Sequence, residues 1–585
     1  MRQSRDPGRT PSREYSREAG LRFFTVLFLL LWLGACADPP SIDALLEQAR
    51  QQINAGDAQA AIVTCKQAVA LSPDDPQIRL QMAAAYLAAQ RGDLAAATLK
   101  QAAERGADPT LVRLAQADAL LMQKKFLEVL DLQMPPAATS IQVIGLQWRQ
   151  ARARLGLYGR KQADDDVVSG AYLELFQAID DDGDEAGLAP IIASLTASRR
   201  DDPPVERAWQ HFICRSLEIT TTYWQAEPPT EATILRVGPT RQFKTPAAAA
   251  RAAGNGAIVE IDAGNYPGGV ARWPQDQLIV RGVGGRPVIT ARGKSVAKRD
   301  VWLFTGNDVR VENVEISGAR SVFKNGAGIR HVGRNLVLQH VYLHDNENGL
   351  LTGNKHPDSD IQIAYSEFSG NGDGKGQAHN IYVGRSARLE MRYSYSHEAD
   401  IGHLLKSRAR ENFIRYNRLS DNEEGRSRYL IDIPEGGEAE ILGNVLQQGY
   451  ATENHSMISF AAESAPHQKN TLVLASNTFY NRDLGGILVR NPRELDVLVI
   501  NNLIAGVPVV LVDGPGRETA NQMAPDHGLA DPRGFDFNLL TGANAIDKAS
   551  DDGPVPAAEY VHPLGGRPRL TVWKTDIGAY ERCGL

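Results

Sequence analysis

The chain has 585 residues, a formal net charge of -7 and four cysteines. At about 100–200 residues per domain this length excludes a single compact core, and the acidic balance excludes a generally basic nucleic-acid binder, whose phosphate contacts need clustered Lys and Arg. Cys36, Cys65, Cys214 and Cys583 are widely separated and show no metal-ligand spacing, so neither a zinc site nor a disulfide framework is expected.

Residues 1–22 carry six Arg, and Phe23 to Leu33 are apolar except for Thr25. That run is too short to span a bilayer, which takes about 20 residues, but suits the apolar core of a signal peptide. Leu33-Gly34-Ala35-Cys36 resembles the bacterial lipobox. The resemblance implies acylation at Cys36, a mature chain that begins there, and an extracytoplasmic location with the lipid anchor as the membrane contact. Ala37, where an inner-membrane retention signal would have Asp, favours the outer membrane. An ordinary signal peptide or a simple anchor helix is the other reading.

From Ile42 the sequence is Ala-rich with apolar residues at helical spacing, and it repeats. Gly56-Asp57 recurs as Gly92-Asp93 and Pro76 as Pro109, offsets of 36 and 33. Residues 41–131 therefore resemble tetratricopeptide repeats, whose period is about 34. Such stacks leave a concave groove, which implies a protein partner; an α-hairpin spacer without one is the alternative. Residues 132–232 read as a helical linker broken by acidic and Pro-rich stretches.

Beyond this the period changes to two. Thr245-Pro246 and the following Ala run predict a capped helix closing the N-terminal end of a solenoid. A pattern of alternating apolar residues begins at Val309, Leu336, Ile361, Leu389, Asn412, Ala439, Leu472 and Val497, at offsets of 27, 25, 28, 23, 27, 33 and 25. A strand returning after such an irregular period is the mark of a parallel β-helix. Asn417, Asn444, Asn477 and Asn502 occupy the same place in four coils and read as a structural amide ladder. The fold class expected is thus an all-β right-handed parallel β-helix, residues 233–515, preceded by an α-helical repeat domain and closed by a C-terminal capping segment, 516–585.

A second strand in each coil places Ile381, Val383, Leu405, Ile431, Ile433, Ile458 and Phe460 inward, so that Tyr382, Lys406, Asp432 and Ser459 face outward, one above another at about 4.8 Å. His379, His397, His403, Arg385, Arg408, Glu424 and Glu435 flank this row. The run Gly376 to Gly384, followed by Gly402 to Arg408, resembles a motif pair of right-handed β-helix proteins in the pectin-lyase-like superfamily. The likeness extends over about residues 233–515 and implies an extended, acidic polysaccharide as ligand, with uronan lyase, C5-epimerase or hydrolase chemistry; the alternative is a non-catalytic binding or scaffold lipoprotein in exopolysaccharide assembly.

For proton abstraction at C5 of a uronate, Arg408 and Arg385 are the expected carboxylate partners. Lys406, its pKa lowered by neighbouring cations, or His379 is the expected base, and Tyr382 or His403 the proton donor. Asp432, Glu424 and Asn380 complete the substrate-binding set. The competing structural readings are an ion pair for Lys406 and Asp432, and a core position for His403. A hydrolase would use Asp432 with Glu424 or Glu435. No cofactor is expected; a Ca²⁺-assisted variant would draw on Asp373, Glu424 or Asp432, but no acidic cluster is dense enough to predict a metal.

Overall fold

In the computed structural model the described residues are 40–182, 185–216, 232–422, 425–452, 454–482, 485–524, 528–571 and 574–582. Cys36 and Glu424 lie outside them. The chain divides into two compact units, up to Ser194 and from Leu195.

In the first unit, helices Ile42–Asn54, Ala58–Leu71, Pro76–Ala88, Gly92–Glu104 and Pro109–Met122 stack in antiparallel pairs. Carboxylates of Asp57, Asp75 and Asp108 accept backbone N–H groups at three of the helix starts. Gly56 makes the first turn at a φ of 82°, which a residue with a Cβ rarely adopts. Fully buried Ala49, Ala61, Ala83, Ala85, Ala95 and Ala119 let the helices approach closely. The segment after residue 131 is helical too, and Leu146 and Ala153 of helix Ser140–Tyr158 share a core with Ala117, Leu120 and Val129. The helical stack therefore runs past residue 131, because helix Ser140–Tyr158 carries an apolar stripe of its own.

The second unit is a parallel β-helix with three strands per full coil. The eight-residue sequence pattern is two strands with a bend between them, as in Glu411–Arg415 and Arg418–Ser420. At each bend one residue takes a positive φ: Tyr365, Tyr393, Tyr416, Gly443, Ser476 and Asn501 in successive coils. The ladder follows directly. Each of Asn417, Asn444 and Asn477 donates both its backbone N–H and its side-chain amide to the Oδ1 of the next Asn, ending in Asn502, which does the same to Asn521. Ser366 and Ser394 extend it toward the N-terminus. Rings of His340, Tyr365, Tyr393 and Tyr416 stack in the same direction, with centroids 5.3, 5.1 and 5.8 Å apart.

The third face is a parallel sheet of ten strands among the described residues, from Ala271–Trp273 to Val510–Asp513. Helix Pro246–Ala252 caps the solenoid: Ala249 and Ala250 join its apolar core, and Gln275 donates to the Ala250 carbonyl at 2.7 Å. The C-terminal segment adds strands Arg517–Thr519 and Gln522–Ala524 to the other two faces. It then turns back along the outside, where Ala557 N–H donates to the Tyr416 hydroxyl at 3.0 Å and Ala579 N–H to Thr478 at 2.9 Å.

Candidate functional site

Register decides what the third face presents. Tyr382 pairs with Lys406, Lys406 with Asp432, Asp432 with Ser459 and Ser459 with Arg490. Their neighbours Ile381, Val383, Leu405, Ile431, Ile433, Ile458 and Phe460 fill the interior, so the predicted outward row forms.

Charged groups on this wall are coupled across coils. Lys406 Nζ lies 2.8 Å from Asp432 Oδ2 and 3.1 Å from Glu463 Oε1. Arg408 reaches Glu435 at 2.8 Å and Glu463 at 2.7 Å, and its Nε donates to the Tyr382 hydroxyl at 2.9 Å. Arg385 grips the same Glu435 with Nε and a terminal nitrogen, at 2.9 and 2.8 Å. Pro434 and the positive-φ pair Gly436-Gly437 turn the chain around Glu435; a Cβ on Gly437 would stand 2.3 Å from the Arg410 carbonyl. Glu463 is fixed on its loop by donation of its N–H to the Pro434 carbonyl, and Arg493 holds its own carbonyl from the other side.

Four rings run along the wall: Tyr382, His379, His403 and Tyr429, with centroid steps of 5.9, 4.6 and 5.1 Å. Beside them is a groove of about 470 Å³ lined by His403, Lys406, Asp432, Glu463, Arg428 and Arg490, among others. Burial, reinforced by Lys406 and Arg428, pushes the His403 imidazole down to about 3, so it is neutral at ordinary pH. His379 is held well below its usual range by burial and by the adjacent His403 and Lys406. Burial pulls the Lys406 ammonium down, yet Asp432 and Glu463 outweigh it and the group stays above its usual range. Burial raises the Asp432 carboxyl against the pull of Lys406. Glu435 is held down by its hydrogen bonds to Arg385 and Arg408, in spite of burial.

These facts change several assignments. Lys406 is not a base with a lowered pKa, because the anions that meet it on the wall outnumber the cations that touch it. His379 is not available as a base: its Nδ1 accepts the His403 backbone N–H at 3.0 Å, so in the neutral ring the other nitrogen carries the proton. Asn380 does not face a ligand. It sits just ahead of strand Ile381–Val383, turns inward and is fully buried, accepting from Asn371 and donating to Phe368 O, Ser396 and His397 O. Arg385 and Arg408 reach the wall, but with carboxylate partners already in place. Asp373 accepts the N–H groups of Lys375 and Gln377 within its own loop. Among the described residues, no three His, Cys, Asp or Glu side chains converge to hold a metal.

Sequence reasoning missed Glu463, Arg428, Tyr429 and Arg490. For Glu463 a signal existed: it lies in the 33-residue coil between Ala439 and Leu472, the longest in the series, and the extra residues form the loop that carries it.

The architecture is thus a tetratricopeptide-like helical segment and a right-handed parallel β-helix in one chain. Residues 52–119 match the tetratricopeptide repeat family. Two solved structures are similar to part of this chain, both at 12% identity: a pectin methylesterase variant in complex with a hexasaccharide, with a TM-score of 0.27 over 44% of this chain and 82% of that one, and the pectin methylesterase of Aspergillus niger, with a TM-score of 0.23 over 51% and 88%. No curated protein matches the sequence.

Proposed function

We propose that the wall around Tyr382, Lys406 and Asp432 binds a uronic-acid-containing polysaccharide and acts on it as a lyase or C5-epimerase, on an extracytoplasmic lipoprotein anchored through Cys36. One observation carries this reading: a neutral imidazole, His403, shares a groove with an ammonium group that stays charged, Lys406. Removing the proton at C5 of a uronate needs both, an unprotonated acceptor and a cation at the carboxylate to stabilise the enediolate.

In the cleavage direction His403 takes the C5 proton and Lys406 with Arg408 neutralises the carboxylate. The C4–O bond then breaks to leave a C4–C5 double bond, and Tyr382 protonates the departing oxygen. In epimerisation a proton returns to C5 from the opposite face. Two aromatic rings that line the groove, His403 and Tyr429, support the polymer reading, since ring faces pack against the apolar faces of sugars. Glycoside hydrolysis is less well supported, because both carboxylates of the candidate pair are already engaged, Asp432 by Lys406 and Glu435 by two guanidinium groups.

Non-catalytic binding is the second reading, favoured by the prior pairing of Lys406, Arg408 and Arg385 with carboxylates. Incubating the mature chain with a panel of uronate and neutral polymers separates the two. Unsaturated uronate by ultraviolet absorbance, or an altered uronate ratio, that disappears in His403→Gln is expected. Retention of the polymer with neither change, in wild type and variant alike, establishes binding alone.

A further inference from the structure

Away from the wall, two consecutive turns near the N-terminal end of the β-helix present an unusual surface. The first, residues 291–300, carries Arg292, Lys294, Lys298 and Arg299; the second, residues 318–326, carries Arg320 and Lys324. The turns are adjacent, joined by Ala291 N–H to the Ser317 carbonyl and Val301 N–H to the Ala327 carbonyl. Their one acidic residue, Asp300, is fully buried on Arg330. None of the six cations has a carboxylate within ion-pair distance among the described residues, whereas many cations elsewhere on the solenoid are laddered with acids, as in Arg236, Glu260 and Arg281 or in Arg415 and Glu440.

At the tip of the second turn stand Val322, 85% exposed, and Phe323, 68% exposed, the two most exposed large apolar side chains among the described residues. The turn is braced from beneath. The buried Glu347 carboxylate accepts Ser321 N–H at 3.0 Å and Gly326 N–H at 2.6 Å, and Asn346 accepts Ala319 N–H at 2.9 Å. A buried carboxylate is thus committed to holding an apolar tip in water, which is unfavourable unless the tip has somewhere to go. Because the turn is already ordered, docking it costs little conformational entropy.

We propose that this tip is a membrane-docking element, with Val322 and Phe323 entering the interface of an anionic lipid surface and the six surrounding cations meeting its headgroups. A protruding aliphatic-aromatic pair fits a plane; a sugar site calls for a concave surface with hydrogen-bonding side chains around the ring. The contact is additional to any acyl anchor and independent of the chemistry of the wall.

The test uses the chain from Cys36 onward with Cys36→Ser, so that no lipid anchor intervenes, and vesicles of phosphatidylglycerol with phosphatidylethanolamine against phosphatidylcholine alone. Co-flotation is expected with the anionic vesicles only and is lost as salt is raised. Val322→Ser with Phe323→Ser lowers partitioning by about tenfold or more. Arg320→Glu with Lys324→Glu abolishes the preference for anionic lipid, and tryptophan fluorescence of Phe323→Trp shifts to the blue on vesicle binding. Circular dichroism unchanged from wild type shows that the variants are folded. The proposal is overturned by absence of flotation, by equal binding to both vesicle types, or by serine variants that float like wild type. It is also overturned if those variants lose retention on a soluble uronate polymer while vesicle binding persists.

Discussion

Two ladders run along this solenoid, one side chain per coil, and they differ in kind. Asn417, Asn444, Asn477 and Asn502 are the same residue repeated in the same bend, each fully buried and each bonded to the next. Tyr382, Lys406, Asp432, Ser459 and Arg490 hold equivalent positions on the third face, and no two are alike. A repeating coil imposes the same backbone need at every level, and one residue type answers it. Chemistry needs different groups at neighbouring levels, so a register row that refuses to repeat is where function is to be sought.

The largest effect tests the first ladder. Asn444→Leu removes amide bonds to Ile414 O, Leu442 O and Asn477 and strands the Asn417 amides. It is expected to cost about 3–5 kcal/mol in urea unfolding; a loss under about 1 kcal/mol contradicts a structural role. On the wall, Lys406→Met alone leaves Asp432 buried without its cation and should cost about 3 kcal/mol, whereas Lys406→Met with Asp432→Leu returns near wild-type stability. Polymer binding or turnover stays lost in the double variant. Its recovery together with stability would make the pair structural and place the chemistry elsewhere.

His403 gives the wall a pH signature. Its folded value of about 3 lies below the ordinary 6.5, so between those values the unfolded chain binds a proton that the folded chain refuses. Stability therefore falls as pH drops from about 6.5 toward 3, by up to about 1.4 kcal/mol per unit from this group. His403→Gln should flatten that part of the profile; an unchanged slope in denaturation midpoints assigns it to other groups. The smallest effect belongs to an exposed pair that is in neither ladder. Arg388→Gln breaks an ion pair to Glu411 at 2.9 Å and is expected to change stability by about 0–1 kcal/mol.

The difference between the ladders also explains what could be read from the sequence. The amides and the alternating core residues declare themselves by period, because burial on one side of a strand enforces period two and the coil enforces the longer one. The row Tyr382, Lys406, Asp432 and Ser459 follows from the same arithmetic. Asn380 was misplaced because alternation holds within a strand and it lies one residue before the strand begins. Lys406 is held charged first by Asp432, which the register places beside it, and then by Glu463, 57 positions further along in a loop, a partner that no local pattern contains. His379 fails as a base through a bond to the backbone of His403, and backbone contacts of that kind leave no mark in residue identity.

The returning C-terminal segment gives the molecule a direction in time. Coils can stack as they are made, each on the one before, but residues that meet the stacked tyrosines at the bends, Ala557 at Tyr416 and Gly566 at Tyr393, are synthesised last. A chain interrupted before that stretch would leave Tyr393 and Tyr416 without these contacts. Chaperones and proteases that sense exposed rings would thus have a means of telling an unfinished copy from a finished one.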